Sequence, residues 1–174
     1  PPPPPPPPPH PPTTSLVGSV RWCIRDSPLT DDGIDLNAFE DVLKTGDDYV
    51  GILCVPKHSN PSGEIYSDEN LKKMFEIGSQ YSNKFLFLFD HAYLIHDFLP
   101  TPEQKPLWQV VEESNVQDQT VVTTSFSKVT FGGGGISFMA TSGHSLDLIK
   151  KVRTTMIICP DTVSYTHLTL PTRD

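Results

Sequence analysis

Long apolar runs in the middle of the chain predict a set of β-strands. Tyr49–Pro56 (YVGILCVP) and Lys84–Asp90 (KFLFLFD) are continuous apolar runs of strand length, each bounded by acidic residues or proline. Two further strands are predicted over Thr120–Phe126 (TVVTTSF) and Gly135–Ser142 (GISFMATS). Strands without apolar–polar alternation are typical of sheets that are buried on both faces.

Between these runs the apolar residues recur with helical periodicity. In Asp35–Lys44, Leu36, Phe39, Val42 and Leu43 share one face, and Asp35 can cap the helix. A second helix is predicted over Ser67–Ser82, with Ser67 as its cap and acidic residues in its first turn. Shorter segments, Pro106–Ser114 and Ser145–Ile158, predict two more helices.

Alternation of buried strands with amphipathic helices predicts an α/β fold. We expect a mostly parallel sheet with helices on both faces and one antiparallel strand. Ligands of such sheets bind beyond the carboxyl ends of the strands. The residues that follow each strand are therefore the first place to look for chemistry.

Composition narrows the class of protein. Residues 28–162 contain 10 Lys and Arg against 19 Asp and Glu, a net charge of −9, which argues against nucleic acid or an anionic membrane as partner. No apolar run reaches the length of a membrane span, and no signal peptide precedes the apolar core. The three cysteines lack CxxC spacing, so neither a disulfide framework nor a metal site is implied. We expect a cytoplasmic protein.

The two ends of the chain differ from its middle. Eleven of the 19 prolines lie in residues 1–12, a polyproline tract that cannot build a core. "CIRDS" (residues 23–27) and "VSYT" (residues 163–166) can be back-translated into DNA words that are reverse complements over nearly their whole length, and both resemble translated transposon-end sequencing adapters. Such sequence does not belong to the fold. We therefore expect residues 1–27 and 163–174 to be non-native or disordered flanks, and residues 28–162 to be an internal fragment of a longer protein.

Polar residues of the kinds that bind ligands or take part in catalysis follow three of the predicted strands. They are Asn60 after the first strand, Asp90 and Tyr93 after the second, and Ser125, Ser127 and Lys128 after the third. Taken singly, each has an ordinary explanation: an Asn-Pro turn, a surface carboxylate, or a lysine at a strand end that reaches water. Their common place at strand carboxyl ends, in this order, is more specific.

This order of motifs, HSNPSG, DHAY and SFSK, resembles the signature of fold-type I pyridoxal-phosphate enzymes, in particular class I/II aminotransferases. The resemblance covers most of residues 28–162. It is strongest to an aspartate-aminotransferase-like subgroup with a glycine-rich turn after the lysine. It implies part of the cofactor-binding large domain, a three-layer sandwich, with pyridoxal 5'-phosphate as the cofactor. The implied reaction transfers an amino group between an amino acid, with aspartate as a candidate, and a 2-oxo acid.

The resemblance also assigns a role to each residue. Lys128 forms the Schiff base with the cofactor aldehyde and moves the substrate proton, and Asp90 is the buried carboxylate that keeps the pyridine nitrogen protonated. Tyr93 and Asn60 donate hydrogen bonds to the ring oxygen. The hydroxyl groups of Ser125 and Ser127 bind the phosphate. His58, His91 and His96 are interpreted as packing or polar-network residues.

One position departs from the family pattern. Many members carry an arginine for the phosphate eight residues after the lysine, where this chain has Ile136, preceded by Gly132–Gly135. Backbone N–H groups of the glycines are a possible substitute. The ring-stacking aromatic residue and the arginine that binds the substrate carboxylate lie outside the chain, so the fragment alone is expected to be inactive.

Two other functions share the same cofactor core. One is a pyridoxal-phosphate sensor domain of a transcription regulator, and the other is a lyase. A shared fold does not separate these chemistries. Family members are homodimers when full length, which is the expected state of the parent protein.

Overall fold

The structure is a computed structural model that describes residues 27–46, 48–129 and 136–156. Nearly all of the two predicted flanks lies outside the described residues, as does the glycine-rich turn Gly132–Gly135. The flank boundaries at 27 and 163 therefore stay predictions.

A short antiparallel hairpin opens the described chain. Strand β1 (Leu29–Thr30) pairs with β2 (Gly33–Ile34), and the side chain of Asn70 binds both the N–H and the C=O of Ile34. Gly33 has φ of +129°, and a Cβ there would lie 2.6 Å from Asn70 Oδ1. Only glycine fits this close approach. The sequence did not predict this hairpin, because two-residue strands leave no periodic signal.

The remaining elements follow the predicted order. They are α1 (Leu36–Leu43), β3 (Gly51–Cys54), α2 (Asp68–Tyr81), β4 (Leu86–Asp90), α3 (Leu107–Glu113), β5 (Thr120–Ser125), β6 (Ser137–Thr141) and α4 (Gly143–Met156). The predicted caps are present: Asp35 accepts hydrogen bonds from the first turn of α1, and Ser67 from that of α2.

Strands β3 to β6 form one sheet in the order β3-β4-β5-β6. The first three strands are parallel and β6 is antiparallel to β5, which confirms the predicted mostly parallel sheet with one antiparallel strand. Cys54 lies opposite Phe89, and Asp90 lies opposite Thr123. The carboxyl ends of β3, β4 and β5 therefore meet at one edge of the sheet.

The core lies between one face of the sheet and helices α1, α2 and α3. Phe87 and Phe89 of β4 are fully buried against Phe75 of α2, with ring centroids 4.9 and 5.8 Å apart in edge-to-face geometry. Gly78 allows the close contact between α2 and β4, because a Cβ there would lie 2.6 Å from the Phe87 ring. Helix α4 buries no side chain.

The opposite face of the sheet, called the open face below, carries exposed apolar side chains in the described structure. Leu53 is 72% exposed, and Leu86, Leu88 and Met139 are 38–41% exposed. Alternation along β4 explains the difference between the faces, because Phe87 and Phe89 point to the helices while Leu86 and Leu88 point away. Among the described residues, no helix has the length and hydropathy to cross a membrane.

Candidate functional site

Asn60 and Tyr93 meet across two neighbouring loops. Asn60 lies in the loop after β3 and Tyr93 in the segment after β4, and Asn60 Nδ2 donates a hydrogen bond to the Tyr93 hydroxyl at 3.2 Å. The loop around Asn60 is closed by hydrogen bonds from Ser59 N to Glu64 O at 3.0 Å and from Gly63 N to Ser59 O at 2.5 Å. Two residues 33 positions apart are thus brought into direct contact at the strand ends.

Asp90 is the last residue of β4, and its side chain is exposed on the open face. The family resemblance predicts a buried carboxylate at this position. The structure differs because Asp90 follows the buried Phe89 and points to the side of the sheet that no described element covers. Its backbone pairs with Thr123 of β5, two residues before Ser125. Asp90 and Ser125 therefore share one face and one edge of the sheet.

A 3₁₀ turn, Phe126–Lys128, follows β5 directly. The Ser125 hydroxyl accepts a hydrogen bond from the Ser127 N–H at 3.1 Å and donates one to the Ser127 hydroxyl at 2.9 Å. Both serines are half-buried, and Lys128 at the end of the turn is exposed. Within the described residues the Lys128 amino group has no ion pair. It lies at the same edge of the sheet.

A charged cluster links the two loops that carry Asn60 and Tyr93. It consists of Lys57, His58 and Asp97 and is called the loop clamp below. Lys57 Nζ lies 2.5 Å from one carboxylate oxygen of Asp97, and His58 Nε2 lies 2.8 Å from the other. Lys57 Nζ also donates to the Leu94 carbonyl at 3.2 Å. The hydrogen bonds from Lys57 and His58 hold the pKa of Asp97 below its ordinary value.

His91 lies between β4 and Tyr93 and is buried. Burial, together with the charge of Lys57, lowers the pKa of His91, and Asp90 opposes this shift. The His91 backbone is fixed by β5, because its N–H donates to Thr123 O at 2.7 Å and its C=O accepts from Thr124 Oγ1 at 2.9 Å. A neutral, packed imidazole fits the interpretation of His91 as a structural residue.

The ring of His96 packs edge-on against Tyr93, with centroids 5.4 Å apart. His96 Nδ1 is buried and has no hydrogen-bond partner among the described residues. The Tyr93 ring is therefore supported on one side by His96 and held at its hydroxyl by Asn60.

The structure brings the predicted site residues to one edge of the sheet but joins only some of them by contact. Asn60 contacts Tyr93, and Ser125 contacts Ser127. Asp90 ends β4 and Lys128 follows β5, and among the described residues neither has a hydrogen bond to the other four. Sequence reasoning missed Lys57 and Asp97, because charged residues in a loop carry no signal that identifies their partner.

The polar groups at this edge of the sheet are of the kinds that could bind a phosphorylated pyridine aldehyde. An amide and a phenol can donate to a ring oxygen, a carboxylate can accept from a protonated ring nitrogen, two hydroxyl groups can bind phosphate, and a primary amine can react with an aldehyde. Among the described residues, no group of three His, Cys, Asp or Glu side chains could hold a metal ion.

Comparison with known proteins gives an independent line of evidence. The sequence profile of a family described as "Aspartate amino-transferase" matches residues 22–169. The chain is 29% identical over 119 residues to an aspartate aminotransferase of Corynebacterium glutamicum, which covers 68% of this chain and 27% of that protein. It is 26% identical over 141 residues to aromatic-amino-acid aminotransferase 1 of Thermococcus litoralis, covering 79% of this chain and 32% of that protein.

The fold is similar to that of a solved structure. A crystal structure of an aspartate transaminase from Corynebacterium glutamicum superposes with a TM-score of 0.69 at 27% sequence identity. The match covers 79% of this chain and 32% of that chain. The chain thus spans about a third of the length of the curated relatives it matches.

Proposed function

The chain belongs to the aspartate amino-transferase family, and from this premise we propose that it is the cofactor-binding part of a pyridoxal-phosphate-dependent aminotransferase. The whole protein would transfer an amino group between an amino acid and a 2-oxo acid. The observation that carries the proposal is the contact between Asn60 and Tyr93. It lies at the edge of the sheet where β4 ends at Asp90 and β5 ends at Ser125. Two donors held together in this way can bind one oxygen of an aromatic ring.

When bound, pyridoxal 5'-phosphate supplies an electron sink for the substrate's α-carbon. Lys128 would hold the cofactor through its primary amine, which can condense with an aldehyde with loss of water, and the same amine would hold and move the proton at the substrate's α-carbon. Asp90 accepts the hydrogen bond of the protonated pyridine nitrogen, for which its carboxylate at the end of β4 is suited. Other parts of the whole protein would have to cover Asp90, because water weakens this charge interaction.

Asn60 and Tyr93 orient the ring by donating to its phenolic oxygen. The hydroxyl groups of Ser125 and Ser127 donate to the phosphate. Because Ile136 stands where many relatives have arginine, these hydroxyl groups and backbone N–H groups have to carry more of the phosphate charge. Because Ile136 carries no positive charge, cofactor binding would depend more strongly on Ser125 and Ser127.

The name of the Corynebacterium glutamicum relative supports aspartate as the amino acid. We further propose a homodimer of the whole protein, located in the cytoplasm, with neither nucleic acid nor membrane as partner. The acidic balance of residues 28–162 supports the last point. A pyridoxal-phosphate sensor of a transcription regulator and a lyase remain the alternatives, since both use the same cofactor core.

The proposal is tested with the whole protein encoded by the same gene. With pyridoxal 5'-phosphate, the wild type should convert aspartate into its 2-oxo acid and the added 2-oxo acid into its amino acid. Lys128→Ala should abolish this transfer, whereas Lys150→Ala, which alters an exposed lysine of α4 far along the chain, should leave it intact. Cofactor binding without transfer would favour the sensor, and release of a fragment of the amino acid would favour the lyase.

A further inference from the structure

The contact between Asn60 and Tyr93 joins two separate surface loops, so it depends on what holds the two loops together. Neither loop contributes a long regular element to the core: the first follows β3 and the second follows β4. The two loops are joined near Asn60 and Tyr93 by the loop clamp of Lys57, His58 and Asp97. Lys57 and His58 stand three and two positions before Asn60, and Asp97 stands four positions after Tyr93.

The geometry of the clamp is suited to fixing a distance. Both carboxylate oxygens of Asp97 are used, one by Lys57 and one by His58, so the carboxylate cannot rotate without losing a partner. The Lys57 side chain is only 13% exposed, which reduces the screening that weakens surface ion pairs. Lys57 also donates to the Leu94 carbonyl next to Tyr93. Three bonds therefore cross between the loops besides the Asn60–Tyr93 contact.

We propose that Asp97 is a positioning residue for the cofactor ring, which acts by holding Lys57 and His58 and thereby the loops of Asn60 and Tyr93 in register. The inference rests on the proposed function, because it concerns the two donors assigned to the ring oxygen. Asp97 itself does not touch the cofactor. Its effect is transmitted through the spacing of the two loops.

Another carboxylate in the chain provides a matched control. Glu113 of α3 also accepts from two lysines, at 2.7 Å from Lys105 and 2.8 Å from Lys72 of α2, and among the described residues it bonds to neither Asn60 nor Tyr93. Asp97→Asn and Glu113→Gln each replace a doubly bridged carboxylate by an amide of the same size. A general loss of stability should appear in both variants, and a loss of positioning only in the first.

The readout is the pH at which the visible band of the lysine-bound cofactor changes, measured in the whole protein. Hydrogen-bond donors to the cofactor's ring oxygen stabilise its negative charge. The proton on the neighbouring nitrogen, which is that of Lys128, is then held less tightly, and the pH midpoint is lower. In Asp97→Asn the midpoint should rise by about half a pH unit because these donors are misplaced. Cofactor affinity should fall about tenfold, the effect of one lost hydrogen bond. Glu113→Gln should change neither quantity.

A second background shows whether Asp97 acts through the two donors. In Tyr93→Phe together with Asn60→Ala, adding Asp97→Asn should shift the midpoint no further, because the groups that it positions are absent. If Asp97→Asn does not fold, His58→Ala removes one bond of the clamp and should give a smaller shift in the same direction. Thermal melting of each variant verifies the fold.

Three results would overturn the proposal. An unchanged midpoint and affinity in folded Asp97→Asn would show that the clamp does not position the donors. An equal shift in Glu113→Gln, or full additivity with the double background, would assign the effect to general stability. A wild type that binds no cofactor would instead refute the proposed function, and the inference with it.

Discussion

Cys54 shows how burial decides the chemistry of a single side chain. Its thiol lies under the helices, 3.9 Å from the sulfur of Met74, and burial raises the pKa of the thiol to about 12. The thiolate is the reactive form, so almost none is present near neutral pH. Buried and protonated, Cys54 has the properties of a small apolar residue.

We predict that Cys54 resists alkylation in the native chain. At pH 8, iodoacetamide should label Cys54 at least tenfold more slowly in buffer than in concentrated urea, because only unfolding exposes the thiol and restores its ordinary pKa. Mass spectrometry of the peptide containing Cys54 measures the two rates. Equal rates would show that the residue is not buried in solution.

Glu113 is expected to make stability depend on pH in the acid range. The hydrogen bonds from Lys105 and Lys72 lower the pKa of Glu113 from 4.5 to about 2. Because this pKa is depressed in the folded state, the unfolded chain takes up the proton first as the pH falls. The stabilising contribution is therefore present above pH 4.5 and lost as the pH approaches about 2.

Thermal melting of wild type and Glu113→Gln between neutral pH and pH 2 tests this dependence. The wild type should melt at the higher temperature at neutral pH, and the two melting curves should converge at the acid end. Both partners are partly exposed, so the difference should be small. A gap that widens on acidification would have the wrong sign for a depressed carboxylate pKa.

At the scale of elements, the hydrophobic pattern was sufficient for every long helix and strand. Their boundaries needed information that periodicity does not carry. Helix α4 begins at Gly143, two residues before the predicted start, because Ser142 provides the cap: its hydroxyl accepts from Ser145 N at 3.2 Å and its carbonyl from Leu146 N at 2.9 Å. The strand ends correctly predicted that the polar residues after β3, β4 and β5 lie at one edge of the sheet, but not which side chains would meet there.

The ion pairs of the loop clamp could not be predicted from the sequence. Lys57 and Asp97 are 40 positions apart, and many exposed charges in an acidic chain could have partnered either of them. Their pairing depends on how the loops after β3 and β4 leave the sheet. The exposure of Asp90 was missed for a related reason, because continuous apolar runs do not reveal which face of a strand the described helices cover.

The two faces of β4 should respond differently to substitution. In the 174-residue chain, Phe87→Ala should destabilise the fold by about 3–5 kcal/mol, because it leaves a cavity among Phe75, Phe85 and Gly78. Leu88→Ala, one residue further along on the open face, should cost less than about 1 kcal/mol. Urea denaturation measures both, and equal costs would mean that the open face is buried in solution.

For the whole molecule, the open face indicates that further structure belongs on this sheet. Exposed Leu53, Leu86, Leu88 and Met139 form an apolar surface on one face of the sheet, larger than scattered surface residues would give. The chain spans about a third of the length of its curated relatives, and we predict that the rest of a protein of that length would cover this face.

Leu88→Ala in the whole protein tests this expectation. The substitution should cost about 2–5 kcal/mol there, as for any buried leucine, against its small effect in the 174-residue chain. The comparison uses the same substitution in both proteins, so helix and strand propensities cancel. A small cost in both would mean that the open face stays exposed.

The central claim, that Lys128 bonds to pyridoxal 5'-phosphate, is tested most directly by reduction and peptide mapping. The whole protein is incubated with the cofactor, reduced with borohydride, digested and examined by mass spectrometry. Reduction fixes only an amine that is already bonded to the aldehyde. We predict one pyridoxyl group per chain, on the peptide containing Lys128 and absent from Lys128→Ala. A modification on Lys105 or Lys150 instead, or none on Lys128, would contradict the account.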